Sequence, residues 1–97
     1  MALQQQATAR VDDYWIVTPA IAAAAKRYQA CGALGFRNHI REFVVAQRRA
    51  CDPLASVLRR TRALLQRLQD TGALRIDGGW LEVEILEWAI EDYENAA

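Results

Sequence analysis

The sequence predicts a mainly helical α+β domain: a three-helix core, a C-terminal β-hairpin and a final helix. Three observations carry that expectation. Leu54, Val57, Leu58, Thr61, Leu64, Leu65 and Leu68 recur at spacings of three and four, the apolar stripe of one long amphipathic helix. Thr18-Pro19 and Asp52-Pro53 each place a capping side chain before a proline whose backbone is pre-set for a first helical turn. Asp77-Gly78-Gly79 separates two short runs, Ala73 to Ile76 and Trp80 to Ile85, and an Asp-Gly step between such runs is a hairpin signal.

Taken in order, the first ten residues are rich in Gln and Ala and show no packing pattern. Residues 1–12 are therefore expected to form a flexible N-terminus and residues 13–97 a single domain, long enough for one core. Tyr14-Trp15-Ile16-Val17 is a β-prone run, read either as an edge strand added to the hairpin or as an extended lead-in whose Trp15 plugs the core. The first helix opens at Pro19 with Ile21, Ala24, Ala25 and Tyr28 on its inner side, and Gly32 and Gly35 mark its end and the turn. Asn38 is the expected cap of a second helix over residues 39–51, although Phe36 and Arg37 can begin it earlier. Its inner stripe is Ile40, Phe43, Val44, Gln47 and Cys51, with Arg41, Arg48 and Arg49 pointing elsewhere.

On the third helix, Arg59, Arg60 and Arg67 fall opposite the leucine stripe and Arg62 at its margin, and Gly72 stops the helix in a left-handed cap. Leu86, Ala89, Ile90 and Tyr93 then follow helical spacing, so a final helix of about ten residues is expected, with Glu87, Glu91 and Glu94 on its outer face. Acids with no base between them give that helix no internal ion pairs, so packing or a basic neighbour must hold it.

The formal net charge of zero conceals a lopsided distribution. Residues 36–75 hold nine arginines against three acids, a net +6, whereas residues 76–97 hold seven acids and no base, a net −7. Such a chain has either two functional surfaces or one half neutralising the other. Cys31 and Cys51 lack metal-ligand spacing, and with one histidine, His39, no tetrahedral ligand set exists, so neither a metal nor any other cofactor is expected. Both thiols are expected as reduced core residues, although spacing alone leaves a disulfide open. No apolar run is long enough to span a bilayer and the first residues lack the pattern of a secretory leader, so a cytoplasmic location is expected.

The segment LLQRLQDTGALRIDGGWLEVEI resembles the recognition helix and wing of bacterial winged-helix DNA-binding regulators. The matching positions are Leu64, Leu65, Leu68, Gly72, Leu74 and Ile76, with Leu81, Val83 and Ile85 as the returning strand. The resemblance covers about a quarter of the chain closely and implies a winged helix-turn-helix fold with the third helix in the major groove. The chain departs from that pattern in its longer third helix, in Asp52-Pro53 before it, and in Asp77, Glu82 and Glu84 on a wing that is ordinarily basic.

Two functions follow. In the first, the chain is a small bacterial or phage DNA-binding transcriptional regulator, assembled as a homodimer to match a two-fold operator. Arg59, Arg60, Arg62 and Arg67 would reach bases or phosphates while Arg41, Arg48 and Arg49 clamp the backbone, since guanidinium pairs bidentately with guanine and phosphate. Those arginines can equally be the solvated outer faces of packed helices. In the second, the chain is a non-enzymatic protein-interaction module (an adaptor, inhibitor or immunity protein) that binds a protein partner through Trp80, Trp88, Glu87 and Glu91. Trp80 and Trp88 can alternatively seal the hairpin against the last helix. An enzyme is not expected: Ser56, the sole serine, lies within a helix without an elbow motif, and no Gly-rich phosphate loop is present.

Overall fold

A computed structural model of the chain describes residues 18–75 and 79–96. It is a four-helix bundle: α1 (Pro19–Cys31), α2 (Gly35–Arg49), α3 (Leu54–Asp70) and α4 (Trp80–Asn95). No strand occurs among the described residues, so the β-hairpin, and with it the winged-helix fold, is overturned. The edge strand expected at Tyr14 to Val17, the flexible N-terminus and the hairpin tip at Asp77-Gly78 lie outside the described residues.

The caps show how local chemistry sets the bundle. Thr18 Oγ1 accepts from the Ile21 amide at 3.2 Å and Pro19 follows it, as the sequence predicts for α1. α2 starts at Gly35 without a side-chain cap, and Asn38 is an exposed residue inside the helix. At the end of α3 the Ala73 amide donates to Leu68 O at 2.9 Å and the Gly72 amide to Gln69 O at 3.0 Å, a Schellman ending with Gly72 at φ 79°. Leu74 follows it into the core, and the Arg75 backbone is held by both ends of the Gln29 side-chain amide on α1.

Residues 80–85, expected as the returning strand, are the first turns of α4. Gly79, left-handed at φ 73°, precedes them. As a helix the segment places Leu81, Ile85, Trp88 and Ala89 on the inner side, so the stripe expected over Leu86, Ala89, Ile90 and Tyr93 is corrected: of those four only Ala89 is fully buried. An isolated two-stranded ribbon is at best marginally stable, whereas the unbroken helix buries Ile85 completely.

α4 lies between α2 and α3, and α1 covers α2. The core is Phe36, Ile40 and Val44 of α2, Val57, Leu64, Leu65 and Leu68 of α3, and Ile85 and Ala89 of α4, with Ile21, Ala24 and Ala25 of α1 at its edge. Burying each of the larger side chains is worth about 1.5–3 kcal/mol. Tyr28, Phe36 and Trp88 close one end: Trp88 stands edge-on to Tyr28 at 5.4 Å and to Phe36 at 6.3 Å.

Neither cysteine is a core residue: Cys31 and Cys51 are free thiols and both are exposed. Each follows from helix ending. Cys31 is the last residue of α1, and Cys51 lies beyond α2 in a left-handed conformation at φ 62°.

Candidate functional site

The arginines nominated for DNA are divided among different partners. Along α2, Arg37 and Arg41 are four residues apart and both face Asp92 of α4. Arg37 binds the Asp92 carboxylate with both terminal nitrogens, at 2.5 and 3.1 Å, and its guanidinium lies 5.2 Å from the Trp88 ring centre. Arg41 Nε stands 3.7 Å from Asp92 Oδ1. Further along, Arg48 covers the face of Tyr93 at 4.4 Å, and the Tyr93 hydroxyl donates to Asp52 O at 2.7 Å. The basic side of α2 is thus turned substantially toward α4.

α3 is also partly engaged. Arg60 donates to Asp52 Oδ2 at 2.8 Å and to Gln47 Oε1 at 3.2 Å, and Gln47 is fully buried. Asp52, expected to cap α3, therefore anchors Arg60, and no side chain caps the helix. Arg62 pairs with Glu82 of α4 at 3.1 Å. Arg49, Arg59 and Arg67 are exposed and carry no ion pair among the described residues; Arg59 donates to Ser56 Oγ at 3.2 Å. Arg49 lies on α2, and the other two lie on α3.

The residues nominated for a protein partner also separate. Trp88 belongs to the Tyr28–Phe36 aromatic end and is half-buried beneath Arg37. Trp80, in contrast, is 76% exposed at the start of α4. Glu87 and Glu91 are exposed on the same side of the helix. The sequence reading missed Val83, which is 53% exposed one turn after Trp80. Its signal was present: positions 80, 83, 87 and 91 follow helical spacing once residues 80–85 are read as helix.

Beside this side of α4 runs a groove of about 200 Å³, between α2 and α4, lined by Arg41, Val45, Glu91, Asp92, Asn95 and Ala96. Its lining includes no histidine, cysteine or serine. Among the described residues no three His, Cys, Asp or Glu side chains gather as a metal set, and no helix is long and apolar enough to cross a membrane. The chain matches no protein-family model, no curated protein and no solved structure.

Proposed function

We propose that this chain is a small non-enzymatic protein-interaction module whose working surface is the outer side of α4. One observation carries the reading. Trp80 and Val83, a turn apart, are open to solvent and continue into a run of glutamates, an apolar anchor with an acidic flank. Large exposed aromatics with a polar surround are characteristic of binding surfaces.

The arginine arrangement favours this reading over the nucleic-acid one. Phosphate binding needs guanidinium groups gathered on one open face. Here Arg41, Arg60 and Arg62 face carboxylates of the chain itself and Arg48 covers a tyrosine. Among the described residues Arg49 of α2 and Arg59 and Arg67 of α3 are exposed without an ion pair, and Arg62 is exposed while paired with Glu82, so these open guanidinium groups are spread over two helices.

The test combines two measurements. Anisotropy titration against mixed-sequence DNA at low salt is expected to show no binding. A photo-crosslinking amino acid at position 83, introduced in the cell that makes the chain, is expected to give a discrete protein adduct, and the same group at the exposed position 23 of α1 is not. DNA binding that disappears in Arg59→Ala/Arg67→Ala, or no adduct from position 83, overturns the proposal.

A further inference from the structure

α4 has a second apolar side. Ile85 and Ala89 are fully buried in the core, whereas Val83 is exposed and Leu86 and Ile90, at helical spacing from it, are only half-buried. Leu58, on the neighbouring surface of α3, is half-buried as well. A helix that carries apolar residues on a side away from its own core has a surface suited to another protein.

Charge identifies the occupant. α4 has no base and exposes Glu87, Glu91 and Glu94, and α3 beside it exposes Arg59, Arg62 and Arg67. The chain therefore displays, on adjacent helices, an acidic stripe and its basic complement, with zero formal net charge. We infer that the partner is a second copy of this chain, bound as a two-fold dimer in which α4 of each copy lies on α3 of the other. This deepens the interaction-module reading and rests on it.

The symmetry follows from the observed register. Arg62 faces Glu82 and Asp52 faces Tyr93, so α3 and α4 run antiparallel, and Arg59 stands nearly level with Glu87. A two-fold axis parallel to these helices lays α4 over the second copy's α3 without changing that level. Arg59 then meets Glu87 of the second copy twice, once on each side, around a centre of Val83, Leu86, Ile90 and Leu58. An axis across the helices would instead stack α4 on α4, setting Glu87, Glu91 and Glu94 against the same residues of the other copy. Like charges placed together oppose that arrangement.

The experiment is sedimentation equilibrium of the full chain over a concentration series, with circular dichroism to confirm that each variant is folded. A monomer–dimer equilibrium is expected. Glu87→Arg alone, or Arg59→Glu alone, is expected to raise the dissociation constant about tenfold, because two symmetric attractions become repulsions. The double variant Glu87→Arg/Arg59→Glu is expected to recover most of the loss, and Val83→Glu to yield monomer. A monomer at about 200 µM, far above a micromolar dissociation constant, overturns the dimer, as does a double variant no better than either single one. The position-83 crosslink separates the two claims. An adduct of twice the chain's mass supports both; one of another mass keeps the interaction module and overturns the dimer; no adduct overturns both.

Discussion

Arg37 holds Asp92 in a two-pronged ion pair across the α2–α4 interface, and the Asp92 carboxylate is only 5% exposed. The pair sits where an apolar residue would continue the inner side of α4 beyond Ile85 and Ala89. Its partners satisfy it: Arg37 on both oxygens and Arg41 nearby. Removing one member strands the other, which costs far more than replacing both. Asp92→Ala is expected to lower unfolding free energy by about 3 kcal/mol, and Arg37→Met/Asp92→Leu to recover most of it. Urea denaturation of the single and double variants checks both statements.

Arg60 and Arg59 are adjacent in sequence but differ in role. Arg60 joins Asp52 to buried Gln47, whose side-chain amide also donates to Phe43 O at 3.1 Å. Truncating Arg60 leaves the buried Gln47 oxygen without this donor. Arg60→Ala is therefore expected to cost about 2 kcal/mol of stability, and Arg59→Ala to stay within about 0.5 kcal/mol of the parent. Thermal melts of the two variants decide it; equal losses would mean that Arg60 is not the strut described.

The helices legible in the sequence were those with both an apolar stripe and terminal signals. α1 has its cap and proline at Thr18-Pro19, and α3 has leucine spacing from Leu54 to Leu68 with Gly72 just beyond the helix. The segment from Trp80 to Ile85 was not legible, because six residues fit two periods. Leu81, Val83 and Ile85 alternate with glutamates, while Leu81 and Ile85 also begin a helical stripe that continues through Trp88 and Ala89. Asp77-Gly78-Gly79 reinforced the strand reading, although a glycine before a helix is as ordinary as one in a turn. For the candidate site, the charge asymmetry was readable and its outcome was not. Whether Arg41, Arg60 and Arg62 would be open or paired depends on helix placement, and Asp92 interrupts an otherwise apolar side in a way that composition cannot reveal.

Cys51, two residues beyond the end of α2, sits at φ 62°, with its amide donating to Arg48 O at 3.0 Å and the Asp52 amide to Gln47 O at 3.1 Å. A side chain in this left-handed position costs about 1–2 kcal/mol, which glycine avoids while losing some of the gain to its greater unfolded-state freedom. The thiol is exposed, so no packing is lost. Cys51→Gly is expected to stabilise the fold by about 0.5–1 kcal/mol, and Cys51→Val, β-branched at the same position, to destabilise it. Denaturation midpoints measured under reducing conditions test the pair, and a destabilised glycine variant would refute the account.

Tyr28 is the described ionisable group whose proton affinity is displaced, upward from the ordinary tyrosine range. Burial is the larger cause. The Glu84 carboxylate is the other, accepting from the Tyr28 hydroxyl at 3.4 Å and repelling the phenolate. A raised value in the folded state means that the unfolded chain releases this proton first. The contribution to stability is therefore complete below the unfolded value of about 10 and falls as pH rises through the folded one. Alkaline unfolding is expected to begin above about pH 10, and Tyr28→Phe, lacking the titrating group, to lose less stability over that range. In ultraviolet titration, Glu84→Gln is expected to shift the Tyr28 transition downward only part of the way, because burial persists. A full return to the ordinary range would make Glu84 the main cause and burial the lesser one.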